Sequence, residues 1–155
     1  MGFTLRLTGH PDEIPGALHA LEAWLGSEGV SDEDRGEWRL LAEEVLMNIV
    51  QHGSPPQAAE SIRIDGRFHG DGVELRVEDR GRPFDPCAAP PPDLSAPLEV
   101  RRAGGLGVHL LRSLTDEMAY AYRDGRNVLT LRKRSPAAPG PQRPAQPEAG
   151  AEHPL

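Results

Sequence analysis

Apolar and polar positions along the chain fall into eight stretches with two periodicities. Phe3, Leu5 and Leu7 alternate with Thr4 and Arg6, which is the period of a half-buried strand. Leu18, Leu21, Trp24 and Leu25 recur at helical spacing and predict a helix from residue 11 to about 26, with Pro15 and Gly16 perturbing its first turns. Ser31 before Asp32, Glu33 and Asp34 reads as an N-cap with an acidic first turn, favoured by the exposed amides and the helix dipole. The long helix that follows runs to about His52 and is ended by Gly53, Pro55 and Pro56. Trp38, Leu41, Val45, Leu46 and Ile49 cover one broad face of it, and Glu44 and Asn48 sit at the edge of that face. Alternation returns at residues 61–68 and 73–79, joined near Gly70-Asp71-Gly72 as a hairpin. A helix over about 105–114 then precedes strands near 117–122 and 127–132 around an Asp124-Gly125 turn. The order βααββαββ predicts an α+β two-layer sandwich, with a mixed, mostly antiparallel sheet and the helices on one face.

Composition adds a loop and a tail to this picture. Twelve of the 16 prolines fall in residues 83–97 and 136–154, where neither a helix nor an interior strand tolerates them. The first stretch is expected to be a long loop. The second, residues 135–155, has almost no large apolar side chain with which to offset its ordering entropy and is expected to be disordered. With 155 residues, 37% of them hydrophobic, one globular domain over 1–134 plus this tail is the expected organisation. A formal net charge of -7 argues against nucleic-acid binding, which depends on clustered Lys and Arg. No apolar run approaches membrane-spanning length and no apolar stretch follows the first strand, so a cytoplasmic protein without a membrane anchor is expected. Cys87 is the only cysteine, which excludes an intramolecular disulfide and a multi-cysteine metal site; it reads as an incidental loop thiol.

Three short signals carry the candidate chemistry. Glu44 and Asn48, four residues apart on one helix face, can bring a carboxylate and an amide oxygen to one ligand, or can be an ordinary solvated edge. Asn48 offers a neutral oxygen suited to Mg²⁺, which takes most of its ligands from phosphate and water, and Glu44 is then placed to deprotonate an attacking hydroxyl. Glu43 points about 100° away and is expected to be solvated. Asp79 ends a strand two residues before Gly81; it can accept a hydrogen bond from an adenine amino group or simply form a strand-end turn. Phe84 can wall a base pocket or anchor the loop. Gly104, Gly105 and Gly107 open a helix, where free amides can reach phosphate oxygens, or they form a hinge. Arg101 and Arg102 before them can meet a γ-phosphate, meet a partner protein or stay solvated. There is no G-x-x-x-x-G-K-[ST] motif, and the glycines do not follow a strand, so P-loop and Rossmann readings fail. His52 can cap its helix or touch a ligand, and His109 is expected at the surface; neither has a second ligand at zinc spacing.

In this order the signals resemble the GHKL ATPases, and within them the anti-sigma factor serine kinases of bacterial partner switching. Residues 43–53 look like the family's N box, residues 77–86 like its first glycine box, and residues 104–111, with Gly104-Gly105-Leu106-Gly107, like its second. Residues 116–120 and 125–131 are similar to its closing hairpin, so that the likeness covers residues 3–134. The resemblance implies a Bergerat sandwich with ATP and Mg²⁺ as cofactors. It implies Glu44 as catalytic base, Asn48 on the metal, Asp79 on adenine and residues 83–103 as a short ATP lid. Gly81, Phe84, Arg102, Gly104, Gly105, Leu106 and Gly107 complete the implied nucleotide site. Many family members carry Thr near the adenine in the last hairpin, where Asn127 stands here, which passes that contact to Thr130 or to a water. Met47 and Ile49 are bulkier than the small residues common beside the family's Asn.

The leading expectation is an ATP-dependent protein serine kinase that sequesters a sigma factor, phosphorylates a STAS-domain anti-anti-sigma partner and forms a homodimer. The alternative is a nucleotide-gated binding module without kinase activity. A histidine-kinase catalytic domain is disfavoured because the roughly 30 residues before the Glu44 helix cannot supply a His-bearing hairpin. The larger GHKL machines are disfavoured because no transducer domain is expected in a chain of this length.

Overall fold

The computed structural model describes residues 2–52, 61–88 and 105–137. Strand β1 is Phe3–Leu7 and is followed by a single 3₁₀ turn, Pro11–Glu13, and helix α1, Ile14–Ser27. Helix α2 is Asp32–His52; β2 is Ile62–His69 and β3 is Gly72–Asp79. Helix α3, Gly105–Leu114, leads into β4, Glu117–Arg123, and β5, Arg126–Arg134. The five strands form one sheet in the order β1-β2-β3-β5-β4 with every ladder antiparallel. The expected α+β two-layer arrangement and element order are both present.

Local chemistry explains the element ends. The Asp34 amide donates to Ser31 Oγ at 3.2 Å, so Ser31 caps α2 as its sequence position predicts. Helix α1 closes on Gly29, at φ 84°: the Val30 amide reaches Leu25 O at 3.1 Å and the Gly29 amide reaches Gly26 O at 3.1 Å, with Leu25 and Val30 both buried. That is a Schellman motif, which requires the left-handed conformation glycine adopts without strain. The β4–β5 turn places Asp124 at φ 53° and Gly125 at φ 75°, the type I′ geometry that suits the right-handed twist of a hairpin.

One face of the sheet is apolar and receives the helices. Leu7, Ile62, Ile64, Val73, Leu75, Val77, Leu129 and Leu131 are buried there against Leu18, Leu21 and Leu25 of α1 and Trp38, Leu41, Val45 and Leu46 of α2. Gly66 belongs to this inward phase, and a Cβ on it would stand 2.8 Å from Trp24 Cζ3, so the glycine makes room for the ring. Trp24 in turn stacks on Phe3 with centroids 5.5 Å apart and meets Phe68 at 5.1 Å.

The opposite face is charged. Arg67 and Arg132 both hold Glu74, at 2.8 and 2.6 Å, and Arg132 continues to Glu117 at 2.9 Å. The Arg67 hydrogen bond, opposed by burial and reinforced by Arg132, lowers the Glu74 carboxyl below its ordinary range.

The boundary between domain and tail differs from the expected one at residue 134. Ser135 is fully buried and its Oγ accepts from Trp38 Nε1 at 2.8 Å, while Ala137 forms a β-bridge with Val30. A buried indole N–H needs an acceptor, and the residues following β5 supply it, so the packed unit extends through residue 137. The rest of the expected tail, residues 138–155, and residues 89–103 of the expected lid lie outside the described residues.

Candidate active site

The inward phase of β3 ends in a carboxylate. Strand register pairs Val77 with Leu129 and Asp79 with Asn127, so the two polar side chains continue an apolar ladder on the face turned toward the helices. Both are buried. The Gly81 amide donates to Asp79 Oδ1 at 2.8 Å, closing an Asx turn, and Asn127 Nδ2 donates to the same oxygen at 3.1 Å. Among the described residues Oδ2 accepts no hydrogen bond. Burial pushes the Asp79 carboxyl up, and the Gly81 and Asn127 donors partly oppose that rise.

Beside this carboxylate lies an open-mouthed cavity of about 60 Å³. Val45 and Ile49 of α2, Val77 and Leu129 of the sheet and Leu111 of α3 form its apolar wall. Asn48, Asp79, Asn127 and Tyr120 supply polar edges, and Arg82, Phe84 and Pro86 of the loop after β3 complete the rim. A mostly apolar concavity with a few convergent polar groups has the lining of a small-molecule site.

Of the residues singled out in the sequence, Asn48, Asp79 and Phe84 therefore meet at one cavity, with Gly81 bonded directly behind Asp79. Asp79 is at once the strand-end turn and the cavity carboxylate. Glu44 is half-buried one turn before Asn48 on α2, outside the cavity wall. Gly105, Leu106 and Gly107 form the first turn of α3, where a helix leaves amide donors unpaired, and Leu111 one turn further lines the cavity. Arg102 and Gly104 lie outside the described residues, as does Arg101. Glu43 and His109 are exposed.

Thr130 is corrected by the structure. It pairs with Arg76 on β3 and Ala119 on β4, on the charged face of the sheet and away from the cavity. Strand side chains alternate, so the inward places of β5 belong to Asn127, Leu129 and Leu131. Asn127 itself occupies the position beside Asp79.

Cys87 is more engaged than an incidental thiol. It is half-buried, with Sγ 3.8 Å from Met118 O as donor, and burial and then Asp85 push its thiol up. Arg112 of α3 donates to the carbonyls of Pro86 at 3.3 Å and Cys87 at 2.5 Å, tying the rim loop to that helix. Arg82 and Tyr120 lie within the stretches that resemble family motifs, which assign neither of them a role, and Arg112 lies outside them. The strand alternation around Tyr120, with Met118 and Tyr122 in the same phase, was the one signal for any of them.

Comparison with known proteins agrees with this geometry. Residues 7–133 match the family described as histidine kinase-like ATPase domain. The serine/threonine-protein kinase BtrW of Bordetella bronchiseptica is 34% identical over 125 residues, covering 77% of this chain and 88% of that protein. The serine-protein kinase RsbW of Listeria monocytogenes is 27% identical over 130 residues, covering 81% and 83%. Among solved structures, the RsbU and RsbW domains of Rv1364c from Mycobacterium tuberculosis superpose with a TM-score of 0.66 at 20% identity, over 88% of this chain and 34% of that one.

Proposed function

The chain belongs to the histidine kinase-like ATPase domain family, the GHKL group, and from that membership we propose that it is an ATP-dependent protein serine kinase acting as an anti-sigma factor. The observation that carries the reading is the meeting of Asn48 and Asp79 at one cavity, from a helix and a strand remote in sequence. Two curated relatives named as serine kinases, covered over most of their length, support the reaction class.

The residues present fit a magnesium nucleotide. The apolar wall of Val45, Ile49 and Leu111 suits a flat base, and Oδ2 of buried Asp79, which accepts no hydrogen bond among the described residues, is an acceptor matched to an exocyclic amine. Asn48 would hold the metal with its amide oxygen, and the first-turn amides of α3 offer donors to phosphate. ATP with Mg²⁺, when bound, would supply the phosphoryl group. Glu44, one turn before Asn48 on the same helix, is the residue that would accept the proton of the attacking serine hydroxyl.

The substrate of the reading is a serine of a STAS-domain anti-anti-sigma protein, and the sequestered partner is a sigma factor. The chain acts as a homodimer in the cytoplasm. No helix among the described residues is long and apolar enough to cross a membrane. A second reading, a nucleotide-gated binding module without transfer, is favoured by one observation: Glu44 does not line the cavity.

The deciding experiment incubates the purified protein with Mg²⁺ and radiolabelled ATP, with and without STAS proteins encoded in the same genome. Label on a STAS serine is the expected result. ATP binding without transfer to any STAS protein would replace the kinase by the gated module.

A further inference from the structure

Asn127 has every polar position of its amide engaged by the protein. Its Nδ2 donates to Asp79 Oδ1 at 3.1 Å, Arg82 O at 2.9 Å and Gly81 O at 3.3 Å. Its Oδ1 accepts from the Phe84 amide at 3.1 Å and from the Tyr120 hydroxyl at 2.5 Å. An amide has two donor hydrogens and two acceptor lone pairs, so nothing is left over for a ligand. The side chain is also buried, which makes each of these bonds costly to leave unmade.

We propose that Asn127 is a positioning residue that sets nucleobase choice through Asp79, fixing Asp79 Oδ1 and the 81–84 loop so that Oδ2 faces the cavity. In that orientation the cavity offers an acceptor to the exocyclic amine of adenine and meets the exocyclic carbonyl of guanine with a like partial charge. The inference rests on the reading of the cavity as an ATP site.

Three separate segments converge on the one amide. Asp79 ends β3, Tyr120 lies on β4 and Phe84 belongs to the rim loop, while Asn127 starts the inward phase of β5. The Phe84 amide, which can only donate, and the Gly81 and Arg82 carbonyls, which can only accept, fix the amide's orientation, and the Tyr120 hydroxyl donates to the same Oδ1. Burial raises the Tyr120 phenol, which keeps it a donor. Removing Asn127 would free Asp79 to turn and would take away the Oδ1 to which the Phe84 amide donates. The loss falls on a ligand that uses the Asp79 acceptor and spares one that does not.

The test measures equilibrium binding of ATP and of GTP, each with Mg²⁺, to the wild-type chain, Asn127→Ala and Tyr120→Phe. Hydrogen exchange at the Phe84 amide is followed in the same proteins before nucleotide is added. In Asn127→Ala, ATP affinity is expected to fall about tenfold with GTP affinity nearly unchanged, a loss typical of a hydrogen bond to a charged group. Tyr120→Phe should move the ATP:GTP ratio the same way by about threefold, as one neutral hydrogen bond is worth. The Phe84 amide should exchange faster in Asn127→Ala.

A parallel loss of ATP and GTP affinity would make Asn127 a purely structural clamp and overturn the proposal, as would an unchanged ratio. If Asn127→Ala does not fold, Tyr120→Phe decides by the same ratio. Wild-type protein that binds neither nucleotide would overturn the ATP reading and this proposal with it. Wild-type protein that prefers ATP, with variants that keep the preference, overturns this proposal alone.

Discussion

The inward ladder between β3 and β5 carries a polar side chain at each of its two ends, and the two are used differently. At one end Val73 pairs with Lys133, whose ammonium lies 2.7 Å from Glu37 and 3.3 Å from Asp34 at the start of α2. Burial pulls that ammonium down, but the two carboxylates together outweigh burial and push it up. At the other end Asp79 pairs with Asn127 and lines the cavity, and there one carboxylate oxygen has no partner among the described residues. Helix α2 spans both ends: Asp34 and Glu37 grip the sheet near its start, and Asn48 reaches the cavity near its finish. A buried polar group with all its partners in place acts as a staple. One left a free acceptor beside a cavity acts as a receptor, because the desolvated acceptor has most to gain from a ligand donor.

The largest effect expected at the receptor end is on chemistry. Glu44→Ala should lower phosphoryl transfer by about 10²–10⁴-fold, the usual worth of a general base, while ATP binding persists. Unchanged transfer by this variant would remove Glu44 as the base and leave the cavity reading intact.

Asp79→Ala should weaken ATP binding by about 100-fold, because the base then meets only apolar wall and the bound Asn127. Its thermal midpoint should change little, since the substitution also removes a carboxylate that burial disfavours. A large fall in midpoint with retained binding would invert the comparison and make Asp79 the staple.

Lys133→Met tests the other end. It leaves Asp34 and Glu37 half-buried without their cation, at a cost of about 2 kcal/mol in unfolding free energy by denaturant titration, with ATP affinity unchanged. An affinity change would show that α2 transmits strain from one end to the other.

The smallest expected effect is on pH dependence, and the two carboxylates differ in sign. Glu74 has a folded pKa below its unfolded value, so its stabilisation is present above the unfolded pKa and is lost as pH falls through the folded one. Asp79 has a folded pKa above its unfolded value, so folding stability gains as pH falls through that raised pKa. ATP affinity should decline over the same interval, because a protonated carboxyl is the weaker acceptor. Calorimetric titrations from pH 7 downward should therefore show ATP affinity falling where the Asp79 contribution to stability rises, and Asp79→Asn should flatten the affinity profile.

Much of this was legible in the chain. The Ser31 cap, the Asp124-Gly125 turn and the element order follow from local rules and stand where those rules put them. Asn48 and Asp79 could be nominated because their spacing and flanking residues carry a pattern. Thr130 is a case where alternation already held the answer: Leu129 and Leu131 point inward, so the residue between them points out. The Ser135 partner of Trp38 was not legible, because a Pro- and Ala-rich stretch gives no local reason for one serine to be buried.

The sequence by itself determined periodicity, caps, turns and the set of chemical groups available, since each depends on residues within a turn or two of one another. Only the tertiary structure decided which polar groups would find partners. Asp79 and Asn127 meet across 48 positions and Trp38 and Ser135 across 97, distances over which propensity says nothing. Strand pairing fixes those meetings, and with them the difference between Lys133 as a staple and Asp79 as an acceptor held open.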